Sequence, residues 1–142
     1  MAEGIKQRTM NRQIYLRPMT FSRFDSKRCL VYLNEEVIDN HVPEDAPEDF
    51  APITAYAYTG TEADGGTLID AADDSRDSLV NGIIRSRYSQ SAEDAIKTHQ
   101  IELLKDASIE KASEYEAEWT EFNAVREMAK ATVDGWLNMR MS

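Results

Sequence analysis

The chain has very few of the cysteines and histidines from which disulfides and most zinc sites are built. Its 142 residues include one cysteine, Cys29, and two histidines, His41 and His99. A single cysteine cannot form an intrachain disulfide, and these three residues cannot form a zinc site of the usual spacing. We therefore expect Cys29 to be a small buried residue. We expect His99, which has no second histidine or cysteine near it in the sequence, to be a surface or half-buried side chain and not a ligand.

Motifs for nucleotide binding and nucleophilic catalysis are also missing. The only adjacent glycines, Gly65 and Gly66, are followed by Thr67 and Leu68, without the lysine that a phosphate-binding loop needs. No G-x-S-x-G turn occurs. Pairs of carboxylates carry little information in a chain with 26 Asp and Glu. The sequence therefore predicts a protein that is not an enzyme and that has no cofactor and no metal.

Long apolar runs are absent as well. No run approaches the roughly 20 residues that span a bilayer, and the first residues, MAEGIKQRTMNRQ, lack the apolar stretch of a signal peptide. We expect no membrane contact, and a protein that stays in the cytoplasm or is released by lysis.

Basic residues are missing from the middle of the chain. Residues 31–75 contain twelve Asp or Glu and no Lys or Arg, whereas residues 1–30 contain seven Lys or Arg and two acidic residues. The field of a basic segment attracts acid, either phosphate or the middle of another copy. We interpret residues 1–28 as a basic arm that docks on a neighbouring subunit, with an ordinary N-terminal strand and a nucleic-acid contact as alternatives. The predicted arm contacts are Arg12, Tyr15, Leu16, Arg17, Phe21 and Phe24.

Strand patterns follow this arm. Residues 29–33 (CLVYL) form the clearest strand, and residues 37–42 (VIDNHV) are a candidate hairpin partner. The acidic segment 43–52 (PEDAPEDFAP) cannot continue a ladder at its prolines, so we expect a loop.

A second alternating run covers residues 53–60 (ITAYAYTG), with alanines on one face and tyrosines on the other. Gly65 and Gly66 predict a hairpin turn into a short strand, TLID, at residues 67–70. The acids that follow do not fit the ligand spacing of a calcium loop, so we expect Asp73, Asp74 or Ser75 to cap a helix.

The second half of the chain has helical periodicity. We predict helices over residues 76–88, from Ser89 or Ser91 onward, and over about 108–139. The last helix carries a seam with steps of three and four residues, which we interpret as core or as a subunit interface. Its members are Tyr115, Trp119, Phe122, Arg126, Ala129, Val133, Trp136 and Arg140.

Two stretches of this half, LVNGIIRSRYSQSAEDAIKTH and YEAEWTEFNAVREMAKATVDGWL, resemble small proteins of unknown function encoded among the tail and fibre genes of bacteriophages and prophages. The shared pattern is a helix ending in Arg87 and Tyr88, then a serine-led acidic helix, then a helix with Phe122, Arg126 and Lys130. The resemblance covers about residues 79–137 and brings no catalytic residues. It implies a role in the virion or in virion assembly.

Together these patterns predict an α+β protein. An extended arm over 1–28 would precede a single domain over 29–142, in which a small antiparallel sheet (29–70) packs on a bundle of about three helices (76–140). The expected function is a non-enzymatic structural subunit of a phage tail or of its connection to the fibres, present in the virion and, during assembly, in the host cytoplasm. Its partners would be copies of itself and other virion proteins. The alternatives are a tail-fibre assembly chaperone and a small regulatory protein that contacts nucleic acid.

Overall fold

The computed structural model describes residues 10–141 and, for Met141, the backbone alone. Within this range, six strands precede three helices, which confirms the predicted α+β class. The chain forms two compact units, the first ending at Leu68 and the second beginning at Ile69.

The six strands form two three-stranded sheets. In the first sheet β5 is central, with β1 and β4 antiparallel to it on either side. In the second sheet β3 is central, between β2 and β6. The strands are β1 (Asn11–Tyr15), β2 (Phe21–Arg23), β3 (Arg28–Val31), β4 (Glu36–His41), β5 (Ile53–Gly60) and β6 (Thr67–Asp70).

Residues 10–28 do not form a separate arm, which corrects the prediction for this part of 1–28. β1 pairs with β5 in continuous register, from Asn11 opposite Gly60 to Tyr15 opposite Tyr56. Phe21, at the start of β2, is only 4% exposed. Pairing within the chain satisfies backbone groups that an extended arm would leave to solvent. The boundary between the compact units therefore follows Leu68 and not residue 28. The rest of the predicted arm, residues 1–9, lies outside the described residues.

The two predicted hairpins are wrong in their pairing. β3 pairs with β2 and not with β4, and β6 lies beside β3 and not beside β5. The turn before β6 is nonetheless tight, because Glu62 N donates to Gly66 O at 2.8 Å and Gly65 N donates to Glu62 O at 3.0 Å. Of the two adjacent glycines in this turn, only Gly65 has a positive φ, of 85°. Alternation defines the two faces of a strand but does not identify its neighbour.

The helices are α1 (Arg76–Arg87), α2 (Gln90–Lys105) and α3 (Ala112–Met141). Ser75 caps α1 and Ser89 caps α2, each by accepting a backbone N–H with its hydroxyl. The acids before α1 have a structural role, since Asp73 Oδ1 accepts from Ser75 N at 3.0 Å. α3 begins later than the predicted residue 108.

The interior of the second unit is apolar and lies along α3. The middle of the predicted seam is buried, and Phe122 makes an edge-to-face contact with Tyr88 at 5.1 Å between ring centroids. Gly82 of α1 is required by close packing, because a Cβ there would lie 2.5 Å from the carbonyl oxygen of Asp70. The most deeply buried residues include Leu79, Ile83, Phe122, Ala129 and Val133.

Candidate functional site

β1 presents an unpaired edge. One side of the strand pairs with β5, and no strand within residues 10–141 pairs with the other side. Three large apolar side chains on or beside it are exposed: Met10 by 51%, Ile14 by 41% and Leu16 by 55%. Side chains two residues apart lie on the same face of a strand, so Ile14 shares a face with Arg12, while Met10 and Leu16 flank the two ends of β1. An exposed, apolar strand edge is a template for pairing with another chain.

β4, at the opposite edge of the same sheet, is protected against such pairing. Its register with β5 shifts between Ile38 and His41, and Asn40 has a φ of 57°. Glu36 and Asp39 add two negative charges. Bulges and charges both disfavour edge-to-edge association. The regular edge of β1 is therefore the surface of this sheet best suited to pairing.

An ion pair fastens the face of β1 to the sheet. Arg12 Nε and Nη2 donate to the two carboxylate oxygens of Glu36 at 3.2 and 3.3 Å. The partners lie in β1 and β4, so the pair spans the central strand β5. Both side chains are about half exposed (46% and 53%), so the pair adds little stability but orients Arg12 along the sheet.

Three tyrosine rings support β1 from within the first unit. The rings of Tyr15, Tyr32 and Tyr58 pack on one another with centroids 5.7–6.1 Å apart. The Tyr15 hydroxyl donates to the backbone oxygen of Asp64 at 2.5 Å, and the Tyr32 hydroxyl donates to its Oδ2 at 2.7 Å. Asp64 Oδ1 accepts from Gly66 N at 2.9 Å. The turn around Asp64 thus anchors both tyrosines.

The third tyrosine links two loops. The Tyr58 hydroxyl donates to Glu35 Oε1 at 2.7 Å and accepts from Met19 N at 2.9 Å. Burial, with the carboxylates of Asp64 and Glu35 as further causes, raises the pKa of Tyr32 and of Tyr58 well above 10.0. Both hydroxyls therefore remain protonated donors near neutral pH, which suits a structural role.

The six residues predicted as arm contacts differ in their exposure to solvent. Arg12, Leu16, Arg17 and Phe24 are exposed, whereas Tyr15 is half-buried and Phe21 is buried. The Arg28 guanidinium lies 4.9 Å from the centroid of the Phe24 ring. Arg17 and Phe21 line a cavity of about 340 Å³ together with Pro18, Met19, Thr20, Ser22 and Tyr32.

The second unit has a depression of about 290 Å³ in which residues from all three helices meet. Five of the nine basic residues of this unit line it, against two of its fifteen acidic residues. We call it the cation-lined depression. Its charged residues are Arg76, Arg85, Lys97, Arg126 and Lys130, with Asp77 and Glu93.

One buried carboxylate organises this depression. Glu93 is only 8% exposed and accepts from Arg85 Nη2 and from Lys97 Nζ, each at 2.5 Å. The hydrogen bond from Lys97 and then that from Arg85 lower the pKa of Glu93 against the opposing effect of burial. Glu93 therefore stays charged and holds two cations at the rim.

The other cations differ in how they are paired. Arg76 Nε donates to Asp134 Oδ1 at 2.6 Å, and Lys130 Nζ donates to Glu127 Oε2 at 3.3 Å. Arg126 has no ion pair among residues 10–141; it donates to Asn123 Oδ1 at 3.1 Å and lies 5.9 Å from the Phe122 ring centroid. Arg126 is thus the cation whose charge is most available to an incoming anion.

The predicted seam residues have three different environments. Phe122 and Trp136 are buried in the core, while Tyr115 and Trp119 are half-buried. Arg126 is also half-buried, but it lines the depression. Sequence reasoning missed the depression, although the spacing of Glu93 and Lys97 by one helical turn was a usable signal.

His99 is half-buried beside α3. Its ring stacks on Tyr115 with 3.9 Å between centroids and 5° between planes, and its Nδ1 makes a hydrogen bond with Glu118. Within residues 10–141, no cluster of three His, Cys, Asp or Glu side chains is placed to hold a metal ion. No helix in that range is both long and apolar enough to cross a membrane.

Comparison with known proteins adds no relative to these observations. No protein-family model matches the chain, and no curated protein or solved structure matches it significantly.

Proposed function

We propose that this protein is a non-enzymatic structural subunit that assembles with copies of itself through the edge of β1. The observation that carries this proposal is the contrast between the two edges of the first sheet. β1 pairs in a continuous register and exposes Ile14, whereas β4 has a register shift and carries Glu36 and Asp39 beside the exposed Val37. A chain that needed no partner would gain from protecting both edges.

Pairing between two β1 strands fits the residues present. In an antiparallel arrangement centred on Gln13, Arg12 of one copy faces Ile14 of the other, so like charges do not meet. The same arrangement brings Met10 next to Leu16 of the second copy, which covers apolar surface on both. The contact is self-complementary, as a two-fold symmetric interface requires.

We further propose that the assembly is a bacteriophage particle and that the subunit lies in the tail or in its connection to the fibres. The support for this step is the resemblance of residues 79–137 to proteins encoded among phage tail and fibre genes. The alternative within the same setting is an assembly chaperone that departs before the particle is complete.

Sedimentation of the purified chain tests the β1 contact. We expect the parent chain to sediment as a dimer or larger species. Ile14→Lys should sediment as a monomer, because a charge on this edge blocks pairing. Its circular dichroism spectrum should be unchanged. Val37→Lys is the matched control: it adds the same charge to β4 at a side chain that is 57% exposed. A monomeric parent chain, or equal dissociation of both variants, would contradict the proposal.

Mass spectrometry of purified particles tests the setting. We expect the protein in finished virions, in several copies per particle. Presence in infected-cell lysate with absence from the virion would replace the structural role by the chaperone role.

A further inference from the structure

We propose that the cation-lined depression of the second unit binds the acidic segment 43–50 of a second copy of this chain. This inference rests on the self-assembly proposed above and adds a second contact to it. It specifies a receptor of lysine and arginine side chains and a ligand of four carboxylates.

The receptor concentrates positive charge in an acidic protein. The chain as a whole has a formal net charge of -10, yet five cations and two acids line the depression, and an excess of one positive charge remains when Asp134 and Glu127, the partners of Arg76 and Lys130, are counted as well. The side chains come from three helices, so the positive charge is spread over the rim and not focused on one point. Arg126, without an ion pair in residues 10–141, offers a charged donor at the rim.

The ligand segment consists of two consecutive turns of the same form. Ala46 N donates to Pro43 O at 3.1 Å, and Phe50 N donates to Pro47 O at 2.9 Å. Each turn therefore has the sequence Pro-Glu-Asp followed by the closing residue, and each presents one Glu and one Asp at its centre. The four carboxylates, on Glu44, Asp45, Glu48 and Asp49, are exposed.

These four carboxylates have no hydrogen-bond or ion-pair partner among the residues that the structure describes. The turns limit their freedom before binding, which lowers the entropic cost of ordering the segment in a complex. Prolines at both turns add to this restriction. A preformed acidic ligand and a preformed cationic depression are thus carried by the same polypeptide.

The arrangement favours a carboxylate-rich segment over a single phosphate group. A compact phosphate needs several donors that converge on one point. Here Arg85 and Lys97 are both directed to Glu93, and Arg76 is directed to Asp134. Cations that stay spread around the rim match carboxylates that are spread over two turns.

A peptide of residues 42–51 (VPEDAPEDFA) tests the recognition by titration calorimetry. The receptor is the full chain with its own segment neutralised by Glu44→Gln, Asp45→Asn, Glu48→Gln and Asp49→Asn. We expect saturable binding that weakens as salt is raised, and no binding of the peptide with the same four amide substitutions. Failure of the acidic peptide to bind, or equal binding of the amide peptide, would overturn the inference.

In this receptor, Arg126→Gln should lower the affinity for the peptide by about five- to tenfold, because it removes a charged hydrogen-bond donor. The matched control is Lys105→Gln, which removes a positive charge at the end of α2 outside the depression. Equal weakening by both variants would show a nonspecific charge effect and would overturn the inference. Tighter binding of inorganic phosphate or of a single-stranded oligonucleotide than of the peptide would do the same.

Cross-linking shows whether the ligand belongs to a second copy. A carbodiimide joins a carboxylate to a lysine without a spacer, so an equal mixture of ¹⁴N- and ¹⁵N-labelled chains should give mixed-isotope links from segment 43–50 to Lys97 or Lys130. Links confined to one isotope would place the contact within a single chain and would overturn the inference. Mixed links that persist in Ile14→Lys would support this contact even if the β1 contact fails.

Discussion

The two units of this protein are stabilised in different ways. The interior of the first contains three tyrosine rings whose hydroxyls bond to Asp64, Glu35 and the backbone. The interior of the second is built from aliphatic and aromatic side chains along α3, with Glu93 as its buried charge. The hydrogen bonds of the tyrosine hydroxyls fix the orientation of the rings, whereas apolar side chains stabilise mainly through the area that they remove from water.

This contrast suits the proposed roles. The tyrosines and the Asp64 turn hold β1 in position, so that its outer edge is presented as a rigid strand. The helices hold five cations around one depression while their shared core remains apolar. Substitutions made separately in each unit test whether the two units are stabilised in these different ways.

The largest effect is expected in the apolar interior. Phe122→Ala should lower the free energy of unfolding of the second unit by about 3–5 kcal/mol, because it leaves a cavity at a residue with 0% exposure. Both tryptophans, Trp119 and Trp136, lie in this unit, so urea unfolding followed by tryptophan fluorescence measures it. Leu104→Ala, at a side chain that is 87% exposed, is the control and should change stability by less than about 0.5 kcal/mol.

A smaller effect is expected from the tyrosine hydrogen bonds of the first unit. Tyr58→Phe should destabilise the first unit by about 1–3 kcal/mol, since it leaves Glu35 and the N–H of Met19 without the hydroxyl. Urea unfolding followed by near-ultraviolet circular dichroism measures this loss. Tyr56→Phe is the control, because the Tyr56 hydroxyl makes no hydrogen bond within residues 10–141. A loss in the control as large as that in Tyr58→Phe would show that the hydrogen bonds are not the cause.

The two units should also differ in their response to pH. The pKa values of Tyr32 and Tyr58 are raised in the fold, so their contribution is complete below pH 10.0 and is lost as the pH rises above it. The pKa of Glu93 is lowered from 4.5, so its contribution is present above that pH and is lost as the pH falls below it. Alkali should therefore weaken the first unit through Tyr32 and Tyr58, and acid should weaken the second unit through Glu93.

Glu93→Gln tests whether Glu93 causes the acid dependence of the second unit's stability. It should destabilise the second unit by about 1–2 kcal/mol at pH 7 and reduce the dependence of its stability on pH below 4.5. Urea unfolding by tryptophan fluorescence at several pH values is the measurement. An unchanged acid dependence in the variant would show that other carboxylates are responsible.

The smallest effects come from a pair of helical glycines that should respond with opposite sign. Gly82→Ala should destabilise by about 1 kcal/mol, because the clash of its Cβ with the Asp70 carbonyl oxygen exceeds the gain in helix propensity. Gly135→Ala should stabilise by about 0.5–1 kcal/mol, since the added Cβ would meet no described atom within 4 Å apart from its chain neighbours and the backbone of its own helix. Thermal unfolding measures both, and the same sign in the two variants would contradict the packing explanation.

Much of the local structure was predictable from the residues. The alternation in 53–60 identified β5, and Ser75 was among the predicted caps of α1. The steps of three and four residues in α3 identified the side of that helix on which Phe122 and Val133 are buried. These features depend on contacts between residues close in sequence, which a periodic pattern records directly.

Strand pairing was not predictable in the same way. The charge difference between 1–30 and 31–75 suggested an arm, but residues 11–15 pair with β5 in the first unit. Likewise, nothing in the spacing of Asp64 indicated that it would anchor both Tyr15 and Tyr32. In both cases the partners lie more than 30 residues apart in the chain.

The sequence by itself determined the strands from β3 to β6 and the helices, which faces of them are apolar, and where α1 and α2 are capped, but it placed β1 and β2 in an arm. Only the tertiary structure decided that β1 lies at an open edge, and that Arg85, Lys97 and Arg126 meet around one depression. The physical reason is that periodicity specifies a direction for each side chain relative to its own backbone. The partner in that direction depends on how distant segments pack, which no local pattern contains.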